Sequence, residues 1–515
     1  MAKNFLPDAD RRVLEQLGEL AYTNPFLPRR LELEREILSA QYQDPSGDAG
    51  SLRLFSANLD ALHEVTATHV ERARKSFYAA EGKVDEWDFR IYHRLVYLHL
   101  FSSYRKDFQE YILRRIGRIQ GIGVCGFYRQ FEADYAHFFP LRSNGLEPRH
   151  PPEVVFAILF QLRRAFFHIF EFIVGSSPAA NRLRARVWQS IFTHDMGRYQ
   201  RALFKKMGDI VTFITGPSGT GKELVARAIG LSRYIPFDKD TLEFKEDFAK
   251  GFVPVNLTAL SETLLESELF GHRKGSFTGA LQDRKGYLET CGEYGTILLD
   301  EITETHADIQ VKLLRVLQTR QFQRLGDTRS LPFHGKFMAA SNRDLAVEMR
   351  EGRFREDFYY RLCADRVQTV ALREILQESP DELRYLVKFI AKRVAGESEA
   401  SGLTDEVCDW IQTHLSLRYS WPGNFRELEQ CVRNVMLHGE YIPENTESKV
   451  SRSQLLTDAL GSGSLTAERF LSEYVASVYN RTGNYKETAK LLELDRRTVK
   501  KYADMVLEPS EWDDS

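Results

Sequence analysis

The sequence has little of what would place a protein outside the cell or in a membrane. Its 515 residues include only five cysteines, which stand singly and without metal-ligand spacing. This pattern indicates reduced, mostly buried thiols in a cytoplasmic protein. The first residues, MAKNFLPDADRRVLEQL, lack the apolar core of a signal peptide. The most apolar run is interrupted by Arg163, Arg164 and Glu171, which favours a buried helix over a membrane span.

A strong excess of one charge is also missing. The formal net charge is −3, so any contact with nucleic acid must come from a local basic patch. Hydrophobic residues make up 43% and charged residues 28%, as in soluble globular proteins. There is no internal repeat and no long low-complexity segment. The length favours roughly three domains.

The first part of the chain, residues 1–190, is predicted to be all-α. The segment FRIYHRLVYLHLFSSYRKDFQEYILRRIGRIQ places apolar residues at helical spacing. Its many aromatic residues admit a sensory pocket, but core packing is the favoured interpretation. The basic residues Arg114, Arg115 and Arg118 favour a solvated helix face over a nucleic-acid site. The acidic cluster and Lys typical of a phosphorylated receiver domain are not found.

From residue 191 to 370 the pattern predicts an α/β domain. The strand candidates DIVTFIT, FVPVNL, GTILLDE and KFMAASN alternate with helical segments, which is typical of a parallel sheet flanked by helices. Residues 371–437 are predicted to be helical. A polar linker is expected at 438–464 and a small helical unit at 465–515.

The segment GPSGTGKE fits the phosphate-binding P-loop pattern and stands between a strand and a helix. Its glycines let backbone N–H groups turn toward phosphates, and Lys222 is predicted to reach the β- and γ-phosphates. Glu223 stands where Ser or Thr usually provides a magnesium ligand. The predicted nucleotide-binding residues of this loop are Gly216, Pro217, Ser218, Gly219, Thr220, Gly221, Lys222 and Glu223.

A second strand, TILLDE, ends in two carboxylates in the Walker B arrangement. Asp300 is predicted to hold Mg²⁺ and Glu301 to activate the attacking water. The alternative is a core strand followed by an acidic pair that caps a helix. Together with the P-loop, the two carboxylates predict a site for ATP and Mg²⁺.

Several further segments match one family: LLESELFGHRKGSFTGA, KLLRVLQTRQFQRLG, ASNRDL, GRFREDFYYRL and YSWPGNFREL. With the two nucleotide motifs, they make the chain resemble the bacterial enhancer-binding proteins, the AAA+ activators of sigma-54 RNA polymerase, from about Ile210 to Leu428. That family also carries Glu after the P-loop Lys. The resemblance implies a multidomain protein with an AAA+ P-loop ATPase, a helical lid at 371–437 and a regulatory N-terminal domain.

The resemblance also assigns roles to single residues. Asn256 would contact Glu301 and report the nucleotide state. Asn342 would be the first sensor, with Ser341 where Thr is common, and Arg426 would be the second sensor on the lid.

Arg355 and Arg361 match paired arginine fingers. Alone they would more often be surface ion-pair partners. Cations stabilise the charge that develops on a transferring phosphoryl group, and a neighbouring subunit can supply them. Fingers supplied in this way imply a homo-oligomer, by family precedent a hexameric ring.

A glycine-flanked loop with an aromatic tip follows the P-loop helix in the sequence. In the family a similar loop projects from the ring and engages the sigma factor. Here Ser276 replaces an Ala and Arg273 stands where Glu is usual, while Phe277 and Thr278 are expected to make the contact. The predicted sigma-contact residues are Gly275, Ser276, Phe277, Thr278, Gly279 and Ala280.

The last fifty or so residues resemble a Fis-type helix-turn-helix, with a plain three-helix bundle as the alternative. Asp495 is a suitable N-cap for the second helix of the motif. Between Arg481 and Tyr502 there are seven basic and three acidic residues, which provides the local patch that the net charge hides. The predicted DNA-binding residues are Arg496, Arg497, Thr498, Lys500 and Lys501.

The expected function is that of a sigma-54-dependent transcriptional activator. A DNA-bound ATPase would use ATP hydrolysis to remodel sigma-54 RNA polymerase holoenzyme and open promoters, bound at enhancer-like upstream sites and with no membrane partner. Two alternatives are an AAA+ remodeller of another client and a DNA-binding regulator with a vestigial ATPase. The signal sensed by residues 1–190 and the target promoters cannot be read from the sequence.

Overall fold

A computed structural model of the chain describes residues 4–6, 10–43, 52–80, 84–121, 124–139, 147–259, 261–415, 419–443 and 466–507. The chain forms two compact units, Met1–Gly439 and Glu440–Ser515. Most of the linker predicted at 438–464 lies outside the described residues. None of the helices within these ranges is long and apolar enough to cross a membrane.

The N-terminal part is helical, as predicted. Asp85 begins the fourth helix by accepting hydrogen bonds from the N–H groups of Trp87 and Asp88 at 2.8 and 3.1 Å. Ser177 caps the eighth helix in the same way. The helices are α1 (Arg11–Leu20), α2 (Pro28–Leu38), α3 (Leu52–Ala79), α4 (Glu86–Ser103), α5 (Arg105–Arg115), α6 (Tyr128–Phe138), α7 (Pro152–Phe172), α8 (Pro178–Phe192) and the short α9 (Met196–Arg198).

A parallel five-stranded sheet follows, in the order β11–β1–β10–β7–β4. All four strands predicted from apolar runs are present, and a fifth, β11, adds an edge. The strands of the sheet are β1 (Thr212–Thr215), β4 (Phe252–Asn256), β7 (Thr296–Asp300), β10 (Lys336–Ser341) and β11 (Asp365–Gln368). Three short hairpins pair β2 (Phe237–Asp238) with β3 (Glu243–Phe244), β5 (Gly271–His272) with β6 (Arg284–Lys285), and β8 (Gln321–Gln323) with β9 (Ser330–Pro332).

Helices surround the sheet and continue into the region predicted to be helical. Those between the strands are α10 (Lys222–Gly230), α11 (Glu262–Phe270), α12 (Tyr287–Thr290), α13 (Ala307–Thr319), α14 (Leu345–Arg350) and α15 (Glu356–Leu362). The helices after β11 are α16 (Leu372–Glu378), α17 (Glu382–Ala395), α18 (Ala400–His414) and α19 (Asn424–His438). This last group confirms the helical prediction for 371–437.

The two faces of the sheet belong to different cores, because side chains alternate along each strand. Ile297 and Leu299 of β7 pack with α13 and α15, whereas Leu298 packs on the opposite side with α10. The core on the α10 side of the sheet is continuous with the core of the N-terminal helices, since the rings of Phe156 and Phe237 lie 4.6 Å apart. The predicted boundary at residue 190 therefore falls within one shared core.

The second unit contains three helices, α20 (Ala467–Thr482), α21 (Tyr485–Leu492) and α22 (Arg496–Leu507). Asn484 caps α21 by accepting from the N–H of Lys486 at 2.9 Å. Asp495 caps α22 by accepting from the N–H of Arg497, as the sequence predicted. Glu493 adopts a left-handed conformation, with φ of 54°, in the turn between α21 and α22.

Candidate functional site

The P-loop joins β1 to α10 in a tight turn. Gly216, Gly219 and Gly221 have φ values of 147°, 77° and 86°, which strongly disfavour other residue types. A Cβ atom on Gly216 would lie 2.0 Å from Oγ1 of Thr369, and one on Gly219 would lie 2.1 Å from the carbonyl oxygen of Gly423. Both glycines are therefore required by close packing as well as by backbone conformation.

Lys222 lies at the start of α10 beside the two carboxylates at the end of β7. Its amine donates to the carbonyl oxygens of Gly216 at 3.1 Å and Pro217 at 3.4 Å. Burial lowers the pKa of Lys222, and the nearby Glu301 and Asp300 oppose that shift. Burial likewise raises the pKa of Asp300, and Lys222 opposes it. The structure thus brings the predicted phosphate-binding cation and metal-binding carboxylate together in a partly buried site.

Glu301 is held in an unusual conformation directly after β7. Its φ and ψ are 55° and 51°, in the left-handed region that non-glycine residues seldom adopt. One carboxylate oxygen, Oε2, accepts a hydrogen bond from the backbone N–H of Asn342 at 3.2 Å. The predicted first sensor is therefore in contact with the predicted catalytic carboxylate.

Asn256 lies beside these residues but makes a different contact from the one expected. It is paired with Asp300 in the register of β4 and β7. Its side-chain oxygen accepts from the N–H and the hydroxyl of Thr258, at 2.9 and 2.8 Å. Among the described residues, no hydrogen bond joins Asn256 to Glu301.

The helical segment predicted to be a lid contacts the P-loop directly. Asn424, at the start of α19, donates from Nδ2 to the carbonyl oxygen of Ser218 at 2.9 Å and accepts from the N–H of Leu372 at the same distance. Arg426, two residues further along, is close enough to Lys222 and Asp300 to influence their pKa values. The predicted second sensor is therefore near the site.

Two residues of this site were missed by the sequence reasoning. Asn424 lies in the segment WPGNFREL, in which the sequence assigned a role to Arg426 only. Thr369 follows β11, and its hydroxyl shares a hydrogen bond of 2.6 Å with the hydroxyl of Thr220 in the P-loop. No local pattern marks Thr369, since only the fold brings it beside the loop.

Arg355 and Arg361 lie at the two ends of α15 and are both exposed. The guanidinium of Arg355 pairs with Asp357, at 3.0 and 2.7 Å. Within the described residues, neither arginine has a hydrogen bond or an ion pair with the P-loop. Both side chains therefore lie on the surface, with no bond to the P-loop of their own chain among the described residues.

The glycine-flanked loop is the tip of the hairpin β5–β6. Its backbone closes through hydrogen bonds from Gly275 N to Ala280 O at 2.8 Å and from Ala280 N to Phe277 O at 3.0 Å. Phe277 is 40% exposed, and its ring meets the ring of His272 edge-on at 5.0 Å. Thr278 is exposed. The tip thus presents an aromatic ring and a hydroxyl to solvent.

The two residues that depart from the family pattern both lie at the base of this loop. Arg273 pairs with Asp283 across the hairpin and with Asp327 at 2.8 Å. The hydroxyl of Ser276 is buried and has no hydrogen-bond partner among the described residues. Arg273 therefore contributes to holding the loop in place, whereas the hydroxyl of Ser276 makes no contact that would do so.

The predicted DNA-binding side chains line one helix of the second unit. Arg496, Arg497 and Lys500 of α22 are exposed, and Lys501 pairs with Glu468 at 3.5 Å. Thr498 is partly buried. Arg496, Arg497 and Lys500, which make no ion pair with the residues that the structure describes, form an exposed basic surface on the helix that follows the turn.

The family relationship follows from comparison with known proteins. A family model described as "Sigma-54 interaction domain" matches residues 191–368. The chain is 36% identical over 331 residues to the transcriptional regulatory protein ZraR of Salmonella typhimurium, which covers 64% of this chain and 67% of that protein. The chain belongs to the sigma-54-dependent enhancer-binding proteins. This confirms the resemblance inferred from the motifs.

Two further comparisons match different shares of the chain. The Nif-specific regulatory protein of Enterobacter agglomerans is 44% identical over 224 residues, which is 44% of this chain and 39% of that protein. The chain thus spans less than half of that relative and about two thirds of ZraR. The crystal structure of NtrX from Brucella abortus aligns over 74% of this chain and 80% of its own, with 25% identity and a TM-score of 0.39.

Proposed function

We propose that this enhancer-binding protein is a DNA-bound ATPase that activates transcription by remodelling sigma-54 RNA polymerase holoenzyme. The observation that supports it most strongly is the combination of a nucleotide site and an exposed Phe–Thr loop in the part that matches the family, residues 191–368. An ATPase that remodels a different protein would need the nucleotide site but not the exposed Phe–Thr loop.

The residues at the site suit ATP and Mg²⁺. Side chains at Gly216 and Gly219 would collide with Thr369 and Gly423, so glycine is needed at both positions for the tight turn. In such a turn the backbone N–H groups can point toward phosphates. Lys222 would bind the β- and γ-phosphates through its amine. Asp300 would hold Mg²⁺, which when bound supplies positive charge to the phosphate oxygens.

The remaining residues would act on the attacking water and on the nucleotide state. Glu301 would orient the water and accept its proton, since the backbone N–H of Asn342 already fixes one of its carboxylate oxygens. Asn256 would respond to the nucleotide from the end of β4, where it is paired with Asp300 of β7. Its side chain is held there by the hydrogen bond from the N–H of Thr258.

A short chain of contacts leads from this site to the loop. α11 follows the turn after Asn256 and ends at the hairpin β5–β6. Ser267 of α11 shares a hydrogen bond of 2.7 Å with the ring nitrogen Nδ1 of His272, and His272 supports Phe277. A shift of α11 would therefore move the tip, which is how nucleotide turnover would reach the sigma factor.

Assembly and DNA binding complete the proposal. The exposed Arg355 and Arg361 are positioned to act on a neighbouring subunit, which supports a ring, by family precedent a hexamer. The basic surface of α22 would enter the major groove of DNA. Residues 1–190 would regulate the ATPase, 371–437 would be its lid and 465–515 its DNA-binding domain.

A substitution at the loop tip tests the coupling. Thr278→Ala removes an exposed hydroxyl far from the nucleotide, so ATP hydrolysis should stay within about twofold of the wild type. Formation of open complexes by sigma-54 holoenzyme should fall by about tenfold or more, since a contact made during remodelling is lost. Both rates are measured in vitro on the full-length protein with a supercoiled promoter template.

Two further variants make the result specific. Ser276→Ala also removes one hydroxyl from the same loop, but an unpartnered one, so both activities should be retained. Glu301→Gln should bind ATP yet lose ATP hydrolysis and open-complex formation together, by about 100-fold or more. Full transcription by Thr278→Ala would overturn the loop assignment, and undiminished hydrolysis by Glu301→Gln would overturn the catalytic one.

A further inference from the structure

The N-terminal helices enclose a large cavity that the proposed ATPase cycle does not use. Its volume is about 750 Å³, within the range of small-molecule sites. Seven aromatic residues line it, and most of its wall is apolar. The rings of Phe166 and Trp188 lie 5.0 Å apart, and those of Phe101 and Phe166 lie 6.2 Å apart. The walls thus suit a flat apolar body.

The charged groups at this cavity carry an excess of positive charge. Five basic and three acidic side chains line it. Each of the three carboxylates has an arginine partner: Asp60 pairs with Arg105, Glu110 with Arg114 and Glu171 with Arg118.

Arg163 is different. Its only hydrogen bond among the described residues runs from Nε to the amide oxygen of Gln109 at 3.0 Å, and it makes no ion pair there. Burial, with the like charge of Arg105, lowers its pKa to about 10. The cavity therefore contains a partly buried guanidinium whose two terminal nitrogens have no anion to bind.

A second polar group also lacks a partner. Tyr97 lines the cavity and is 2% exposed, and its hydroxyl makes no hydrogen bond within the described chain. Its hydroxyl is closed off from the cavity as well as from solvent, so Tyr97 contributes its ring to the wall, and Arg163 is the group that an anion would bind. A carboxylate would satisfy Arg163 through paired N–H···O bonds, which its planar fork favours.

The helix that carries Arg163 also contacts the ATPase. Arg164, the next residue of α7, donates to the carbonyl oxygens of Leu231 at 3.1 Å and of Arg233. Gln161 donates to the carbonyl oxygen of Ser232 at 2.9 Å. These carbonyls lie just past the end of α10, the helix that starts at the P-loop Lys222.

A second helix makes a parallel connection. Trp188 of α8 lines the cavity, while Arg182 of α8 pairs with Glu378 of α16 at 2.7 Å. Arg186 donates to Asp365 and to the backbone of β11. A molecule between α7 and α8 would therefore touch the two helices that support the P-loop helix and the lid.

We propose that this cavity binds a ring-containing carboxylate, with its anion on Arg163 and its ring among the aromatic side chains, and that its occupancy controls the rate of ATP hydrolysis. The binding site is inferred from the cavity alone, whereas the control of hydrolysis rests on the proposed function. The experiment can therefore contradict either part without contradicting the other.

Binding is measured by isothermal titration calorimetry on the full-length protein with benzoate, cyclohexanecarboxylate and 2-naphthoate. At least one carboxylate should bind, and 2-naphthamide, its neutral counterpart, should bind more weakly. Arg163→Met keeps the apolar stem and should weaken binding by about tenfold or more. Arg12→Met, at an exposed arginine of α1, should leave binding unchanged.

The outcomes separate the parts of the proposal. No heat of binding from any of the three carboxylates at 5 mM, or equal affinity in Arg163→Met, would overturn the site. If Arg163→Met does not fold, Arg163→Lys, which keeps the charge but loses the planar fork, should fold and still bind more weakly. Binding with an unchanged rate of ATP hydrolysis would overturn the control of hydrolysis, and no hydrolysis under any condition would overturn the proposed ATPase instead.

Discussion

At the residue scale, Lys336 is the side chain least expected from its position. It lies in the central strand β10 and is 2% exposed. Its amine donates to the carbonyl oxygens of Ile210 at 2.7 Å and Met207 at 3.3 Å. Burial lowers the pKa of Lys336 from 10.5 to about 7. The carboxylates of Asp365 and Asp209 oppose this shift, and the positive charges of Arg233 and Arg320 reinforce it.

This shift predicts a pH-dependent stability. Between pH 7 and 10 the unfolded chain holds a proton on this amine that the folded chain does not, so the free energy of unfolding rises with pH there. Relative to Lys336→Met, the wild type should gain about 1 to 2 kcal/mol between pH 7.5 and 9. Urea unfolding curves of both proteins at each pH measure the difference.

A surface lysine provides the reference for that measurement. Lys239 is exposed in the turn between β2 and β3, so Lys239→Met should show no such change in its difference from the wild type. A difference between wild type and Lys336→Met that stays constant across this pH range would show that Lys336 keeps an ordinary pKa.

At the element scale, the start of α19 acts as a clamp on the P-loop. Asn424 is buried, has a φ of 52°, and joins the P-loop carbonyl of Ser218 to the first N–H of α16. Asn424→Gly keeps the left-handed backbone accessible but removes both hydrogen bonds. The affinity for ATP should fall by about tenfold, since the lid is no longer tied to the loop.

Asn424→Asp separates the two bonds. It keeps the oxygen that accepts from Leu372 and loses the nitrogen that donates to Ser218, so it should resemble Asn424→Gly in nucleotide affinity. Equilibrium binding of a fluorescent ATP analogue measures both variants. Wild-type affinity in either would show that the clamp does not contribute to binding.

The elements also show how far the sequence could lead. Four strands of the sheet were predicted because each contains an apolar run. The fifth, β11, was not, because in its sequence DRVQ only Val367 is buried. Likewise the P-loop, Asp300 and Glu301 were readable as motifs. The contacts of Thr369 and Asn424 were not, since they join segments about 150 to 200 residues apart.

The same limit applies to the aromatic residues of the N-terminal part. The sequence favoured core packing over a pocket, and most of these rings do pack in the core. The cavity among them depends on the spacing of α5, α7 and α8, which helical periodicity does not determine. Arg114 on α5 and Arg118 just after that helix are ion-pair partners, so the prediction of a solvated helix face is met by the first and not by the second.

At the scale of the whole molecule, the N-terminal helices and the α/β domain belong to one compact unit. Phe160 stacks on Phe244 at 4.4 Å, and Tyr128 meets Phe237 at 4.8 Å. Phe237 and Phe248, both of the α/β domain, are 5% and 2% exposed. Without the N-terminal helices these rings would face water, at a cost of about 1.5 to 3 kcal/mol each.

Removal of residues 1–190 should therefore do more than release a regulatory domain. The remaining chain should aggregate or lose its cooperative unfolding, because an apolar face of this size promotes association. Removal of residues 440–515, which form a separate compact unit, should leave a chain that unfolds within about 3 °C of the full-length protein. Size-exclusion chromatography and thermal unfolding of the two truncated proteins measure this contrast. A soluble, monodisperse and ATP-hydrolysing protein lacking residues 1–190 would show that the shared core is dispensable for folding of the remaining chain.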